Sequence, residues 1–183
     1  MKLLLSRLES PLGDLLVVTD TERNIRALDF ATHEKRLHRG LREHYGSPTL
    51  TNIPVPQEIA HAMARYFAGE LSAINSLTTA TAGSELQHKV WAALRRIPVG
   101  TTTTYGKLAR ELGFDDPRVA IDVGAANGAN PIAIVVPCHR VIASNGELKG
   151  YAWGLHRKRW LLEHERAISP ERAAPEAARL PGF

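Results

Sequence analysis

Ile132-Ala133-Ile134-Val135-Val136-Pro137-Cys138-His139-Arg140-Val141-Ile142 is the stretch that organises the reading of this chain. It is an apolar run that stops at a proline and delivers one thiol, one imidazole and one guanidinium in consecutive positions. Ile132–Val136 reads as a buried strand, because continuous apolar runs of this length bounded by turn residues fit a strand covered on both faces. Pro137 argues against regular strand continuing past it. If the chain turns there, Cys138 and His139 need not point to opposite faces. A nucleophilic cysteine needs a base, a cation or a helix N-terminus to make its thiolate. The bland reading is a buried cysteine acting as a small hydrophobe. Cys138 is the only cysteine of the 183 residues, so an intramolecular disulfide and any zinc site needing two or more thiolates are excluded.

Downstream, Asn145-Gly146 signals a hairpin turn and Arg157–Glu165 a last helix. Glu165 shares the inward side of that helix with Leu161 and Leu162 while lying near its C-terminus, where the macrodipole disfavours a carboxylate. A buried or functional partner would explain that placement. Past Ile168 the chain turns to Ala, Pro, Arg and Glu, and residues 169–183 read as a disordered tail.

Upstream, Gly128-Ala129-Asn130-Pro131 is a turn. Before it, Tyr105–Leu112 reads as a short helix closed by Gly113. Asp115 or Asp116 then caps a second helix with Pro117 at its first position. Two short helices joined by a tight turn suggest a helix-turn-helix. The second carries Ala120, Gly124, Ala125 and Ala126, small residues that let something bulky approach its backbone, whether another helix or a ligand. Ser84-Glu85-Leu86-Gln87 fits a capping box, opening a helix with Leu86, Val90 and Leu94 on one face and ended by Pro98. Ser76 to Gly83 reads as a linker.

The first third reads as a small α+β unit. Leu3–Leu8, Asp14–Thr19 and Ile25–Phe30 are strand-like, the first two separated by the turn signal Ser10-Pro11-Leu12-Gly13. Leu37, Leu41 and Tyr45 then recur at four-residue spacing in His33–Tyr45, a helix stopped by Gly46. Ile59, Met63, Tyr66 and Phe67 form the stripe of a second helix that begins near Pro56 and is capped by Gly69. The domains expected are 1–80, an α+β unit, and 81–168, a mostly helical unit.

Composition sets the outer bounds. Hydrophobic residues are 44% and charged residues 23%, ordinary for a globular chain. No apolar run approaches the ~20 residues that span a bilayer. The N-terminal leucines are too few for a signal-peptide core of ~7–15 apolar residues, and a lone thiol suits the cytoplasm. The net charge of +4 permits a polyanionic partner without demanding one.

The run 134–142 closely resembles the active-site signature of the O6-alkylguanine-DNA alkyltransferases, also called methylated-DNA–protein-cysteine methyltransferases. The resemblance extends to Phe67-Ala68-Gly69, Val90-Trp91, Ile97-Pro98-Val99-Gly100, Tyr105-Gly106, Gly124 through Pro131, Leu148-Lys149-Gly150-Tyr151 and Arg157 through Glu165. Ser10-Pro11-Leu12-Gly13 fits the bacterial, non-inducible type. The fold so implied is α/β (α+β), with a ribonuclease-H-like N-terminal domain and a C-terminal domain carrying a winged helix-turn-helix.

The function so implied is suicide DNA repair. The alkyl group moves from O6 of guanine, and O4 of thymine, in double-stranded DNA to the protein's own cysteine, once per molecule. On this resemblance Cys138 is the acceptor, His139 the base acting through a water, Glu165 its orienter, and Asn130 the residue holding the adjacent turn. Tyr105 helps rotate the nucleotide out of the duplex. Tyr151 and the Ala152 N–H meet the extruded base, and main-chain carbonyls of Cys138 and Val141 accept from its amino group. Gly124 and Ala125 enter the minor groove, and Arg140 and Lys158 are candidates for polar or phosphate contacts. No cofactor, membrane or obligate protein partner is implied, and the protein is expected to be a monomer.

The chain departs from the family at the recognition helix, where Ile121-Asp122-Val123-Gly124 stands in place of the usual Arg-Ala-Val-Gly. Ile121 replaces an arginine that fills the gap left by the extruded base. It would act as an apolar wedge, with Arg118 one turn earlier as a partial substitute. Asp122 brings a negative charge near phosphates. The alternatives are a weakened or non-catalytic damaged-DNA binder of the same fold, a Cys-His hydrolase that regenerates its cysteine, and a sensor fused to gene control.

Overall fold

The computed structural model describes residues 1–170, and the expected tail lies almost wholly outside them. Three strands open the chain: β1 (Lys2–Leu8), β2 (Leu15–Thr19) and β3 (Ile25–Phe30). They pair antiparallel in sequence. α1 (Glu34–Tyr45) then leads to β4 (Thr49–Asn52), a short polar edge strand parallel to β1 that the sequence reading missed, giving the order β3-β2-β1-β4.

β2 is buried along its whole length because both faces of the sheet are covered. Leu16 and Val18 face α1 through Leu37 and Leu41. Leu15 and Val17 face the main core, which also takes Ile59, Met63 and Tyr66 of α2 (Gln57–Phe67) and Val90 and Leu94 of α3 (Glu85–Arg96). Among the described residues no helix is long and apolar enough to cross a membrane.

Local chemistry sets the helix ends. Ser84 and Gln87 form the reciprocal capping box at the start of α3. Asp116 accepts from the Arg118 N–H, and Pro117 occupies the first position of α5 (Pro117–Gly128). α4 (Tyr105–Glu111) precedes it, and the turn between them holds Gly113 at φ +85°. β5 (Thr103–Thr104) pairs parallel with β6 (Val141–Ile142), and α6 (Leu155–His164) ends the described fold.

Two expectations are corrected. Ile132–Val136 is buried but is not a strand. It meets β3 at one bridge, where the Leu28 N–H donates to Pro131 O and the Ala133 N–H to Leu28 O, each at 2.9 Å. It then coils, with Ile134 at φ +68° and the Val135 N–H donating to Ala133 O. A β-branched residue in that region costs roughly 1–2 kcal/mol. The Asn130 side chain offsets this, bonding the main chain at both ends of the loop. The run is apolar because it is enclosed, not because it is paired. Asn145-Gly146 does turn the chain, with the Ala143 N–H donating to Glu147 O, but no strand follows to complete a hairpin.

The segment read as a linker also does structural work. The Ile25 N–H donates to Thr78 O and the Ala80 N–H to Ile25 O, so 78–80 lies along the start of β3. Residues 131–133 cover its middle. The β3 edge of the N-terminal sheet is therefore covered by later chain.

The capping box gives a direct test of helix α3. Ser84→Ala should cost about 1 kcal/mol. In thermal unfolding that is a fall in Tm of roughly 2–4 °C.

Candidate active site

Cys138 begins a single 3₁₀ turn, Cys138–Arg140, directly after Pro137. The Cys138 N–H donates to Val136 O and the Arg140 N–H to Pro137 O. This turn buries three consecutive side chains, which a strand would have sent to alternating faces.

The turn closes on Glu165, the residue that caps α6. Its Oε1 accepts from Tyr66 Oη–H at 2.7 Å, from His139 Nε2–H at 2.9 Å and from Arg140 Nη2–H at 2.9 Å. Its Oε2 accepts from Arg140 Nε–H at 2.9 Å. An ionised carboxylate only accepts, so His139 must carry its proton on Nε2 when neutral. His139 Nδ1 is then a bare lone pair, and it is buried with no partner.

Electrostatics follow from this arrangement. Burial would push the Glu165 carboxyl up, but the His139 imidazole and the Arg140 guanidinium bonded to it outweigh burial and hold it well below the usual carboxylate range. Arg140 meets Glu165 through two hydrogen bonds, so its support of the carboxylate is separate from that of His139. Burial pushes His139 down against the pull of Glu165, leaving a neutral base. Burial pushes the Cys138 thiol up, opposed by the Asn130 side chain and by the charges of Lys158 and Arg36. The site therefore sets a thiol beside a neutral imidazole whose Nδ1 is the accepting nitrogen.

Asn130 organises the loop above the thiol. Its Nδ2 donates to Ile132 O and Val136 O, and its Oδ1 accepts from the Ile132 N–H. Its own carbonyl accepts from Arg36 Nη2 at 2.9 Å. Arg36 comes from α1. It also pairs with Asp29 and lies 4.5 Å over the Trp153 ring, and Trp153 Nε1–H donates to that same Asp29.

Arg140 and Lys158, the candidates for polar or phosphate contacts, are both buried and engaged within the protein. Arg140 is consumed by Glu165 and by Ile97 O. Lys158 Nζ donates to Val141 O at 2.6 Å and Lys149 O at 2.8 Å, and burial pushes its ammonium down to about 8, opposed by Cys138. It ties the strand after the cysteine turn to the loop that carries Tyr151.

The remaining candidates lie around the mouth of the site. Tyr151 is half-buried, its ring edge-on to Trp153 at 5.1 Å and its hydroxyl buried without a partner. Ala152 is exposed, and Val141 is buried with its carbonyl on Lys158. Tyr105 Oη–H donates to Lys149 O at 3.3 Å. Gly124 faces the Tyr105 ring, so its smallness has a packing reason as well as any other. Ile121 is 73% exposed, on an outer face of α5 with Arg118, Asp122 and Ala125. Arg118 is engaged with its own cap, Asp116.

Sequence reading missed Tyr66, Asp29 and Arg36. Tyr66 was visible only as part of an apolar stripe. Among the described residues no group of three or more His, Cys, Asp or Glu side chains could hold a metal ion.

Residues 3–81 match the family model described as 6-O-methylguanine DNA methyltransferase, ribonuclease-like domain, and residues 85–167 match its DNA binding domain. The methylated-DNA–protein-cysteine methyltransferase of Salmonella typhimurium is 47% identical over 167 residues, covering 90% of this chain and 96% of the relative. That of Methanosarcina acetivorans is 40% identical over 157 residues, covering 86% and 94%. The crystal structure of the O6-methylguanine methyltransferase of Mycobacterium tuberculosis superposes with a TM-score of 0.74 at 34% identity, covering 93% and 96%. A structure of the same relative in complex with DNA gives 0.72 at 34% identity, covering 90% and 93%.

Glu165→Gln should be strongly destabilising, by about 3–5 kcal/mol, because it leaves Arg140 buried without its counter-charge. The pH dependence is equally specific. A carboxylate with a depressed folded pKa stabilises fully above its unfolded value of about 4.3 and loses that contribution as pH falls. His139, also depressed, stabilises above about 6.5 and loses it below. Urea unfolding of the wild-type chain should weaken from about pH 7 to 5 and again below about 4.3, and the second loss should shrink in Glu165→Gln.

Proposed function

The chain belongs to the 6-O-methylguanine DNA methyltransferase family, and from that premise we propose that it repairs alkylated DNA by taking the alkyl group onto Cys138, once per molecule. The substrate is O6-alkylguanine, and O4-alkylthymine, in double-stranded DNA. The observation that carries this reading is the buried thiol beside a neutral imidazole whose Nδ1 is unpartnered while Glu165 fixes its Nε2.

The chemistry balances on these groups. The thiol proton passes through a water to His139 Nδ1, and Glu165 stabilises the imidazolium. The thiolate attacks the alkyl carbon. A C–S bond forms, the C–O bond breaks, and its electron pair stays on the guanine oxygen. The proton returns to the departing guanine. The product thioether has no leaving path, so the cysteine is not regenerated.

The alkylated base must leave the stack to reach a buried sulfur. We read 1–80 and 81–168 as two domains and α4 and α5 as the helix-turn-helix that meets the duplex, with β5 and β6 as its wing. Gly124 and Ala125 would lie in the minor groove, and Ile121 would serve as the wedge into the vacated stack. Tyr105 would assist rotation. Tyr151, the Ala152 N–H and the Cys138 and Val141 carbonyls would bind the base. The protein so read is a cytoplasmic monomer without cofactor.

A second reading is favoured by one observation: Ile121 offers no charge where the family carries arginine, and Arg118 is held by Asp116. The protein would then bind damaged DNA weakly and flip bases poorly. Intact-protein mass after mixing with a duplex containing one O6-methylguanine separates the readings. One methyl per chain, localised to Cys138 and absent in Cys138→Ala, is expected. No gain from duplex but alkylation by free O6-benzylguanine would favour the second reading, and no gain from either would overturn alkyl transfer. Ile121→Arg should speed transfer from duplex several-fold and leave the reaction with free base unchanged.

A further inference from the structure

Tyr66 belongs to α2, in the N-terminal half, yet its hydroxyl ends on the carboxylate that holds the imidazole of the C-terminal half. The ring is fully buried. It stands edge-on to Phe67 at 5.3 Å and to His164 at 5.2 Å, and its carbonyl accepts from His164 Nε2–H at 2.8 Å. Both its backbone and its side chain are thus bound to the end of α6. Any main-chain carbonyl would satisfy a buried tyrosine hydroxyl. This one donates to Glu165 Oε1, the same oxygen that His139 Nε2 uses.

An oxygen shared among three donors divides its negative charge among them. The Tyr66 hydroxyl therefore bears on how firmly Glu165 holds the imidazole and in which orientation. Burial, together with the neighbouring Glu165, holds the Tyr66 phenol far above its ordinary range, so it remains a donor at every accessible pH. The charged groups facing His139 are Glu165 and Lys158 from α6 and its terminus, and Arg140 from its own turn. Those facing Tyr66 are Glu165 and Arg140, with Tyr151 nearby.

We propose that Tyr66 is a positioning residue for proton transfer at Cys138: its hydroxyl pins Glu165 Oε1 against His139 Nε2 and moderates the carboxylate's hold on the imidazole. This rests on the alkyl-transfer reading, but the geometry can be read without DNA. The N-terminal half thereby supplies a group to the proton relay as well as covering the core.

The test uses the full chain with 15N-labelled histidine, following the His139 ring nitrogens against pH. Two variants push in opposite directions. Tyr66→Phe keeps the ring and removes the donor, leaving more of the carboxylate's charge to His139. Its protonation midpoint should rise by about half a pH unit or more. A 3-fluorotyrosine placed at position 66 alone is a stronger donor, and the midpoint should fall. The acid limb of single-turnover alkyl transfer should move with the midpoint in each case.

A residue that only fills space would give no such opposition. Unchanged midpoints, or shifts of one sign in both folded variants, would overturn the proposal. If Tyr66→Phe fails to fold, the fluorotyrosine protein decides alone, and the absence of a downward shift overturns the proposal. A wild-type chain that transfers no alkyl group would sink the function reading, while the titration would still report on Tyr66.

Discussion

A single ionised carboxylate, Glu165, enclosed at the end of the last helix, is the constraint on which the rest of this structure depends. Enclosing a charge is costly unless every lone pair finds a donor. Here four hydrogen bonds arrive from Tyr66, His139 and Arg140. The last two come from the cysteine turn and the first from the opposite half of the chain. Satisfying that one group fixes the tautomer of the base, the course of the turn and the docking of α2 on α6. The thiol gains its proton acceptor as a consequence of a charge being neutralised properly.

The N-terminal sheet makes a second attachment some distance from the first. Asp29 and Arg36 hold Trp153 and the Asn130 carbonyl, and Arg157 reaches back over the Phe30 ring at 4.1 Å and donates to Thr32 and Leu12 O. The two attachments flank the cysteine loop. The Asn130 turn, with Ile134 in a conformation its side chain resists, is held from both sides. This explains how a strained loop can present a thiol at a fixed place.

Much of this was legible beforehand, and the reasons are specific. α1 and α2 showed as stripes because each buries one face, and the cap at Ser84, with that at Asp115 or Asp116, showed because caps use local chemistry, the structure choosing Asp116. Pro137-Cys138-His139-Arg140 showed because the run around it resembles the active-site signature of the family; its residue types alone also fitted a buried cysteine. What was not legible depends on partners far along the chain. Arg140 and Lys158 look like surface cations until Glu165 and two main-chain carbonyls are brought to them. Tyr66 is an ordinary core aromatic until its hydroxyl has a destination 99 residues away. Ile132–Val136 has strand composition because enclosure and strand pairing both select apolar residues, and only the Asn130 bonds distinguish them.

The covering of β3 by later chain has a temporal side. During synthesis β3 leaves the ribosome with its outer edge bare. Thr78 can reach Ile25 soon afterwards, but Leu28 waits for Pro131, about a hundred residues later. At translation rates of roughly 5–20 residues per second, that interval is on the order of ten seconds. Through it, a nascent N-terminal half carries an unpaired strand edge able to join the edge of a neighbouring copy on the same message. On a crowded polysome that bare edge is the surface on which neighbouring nascent copies would meet.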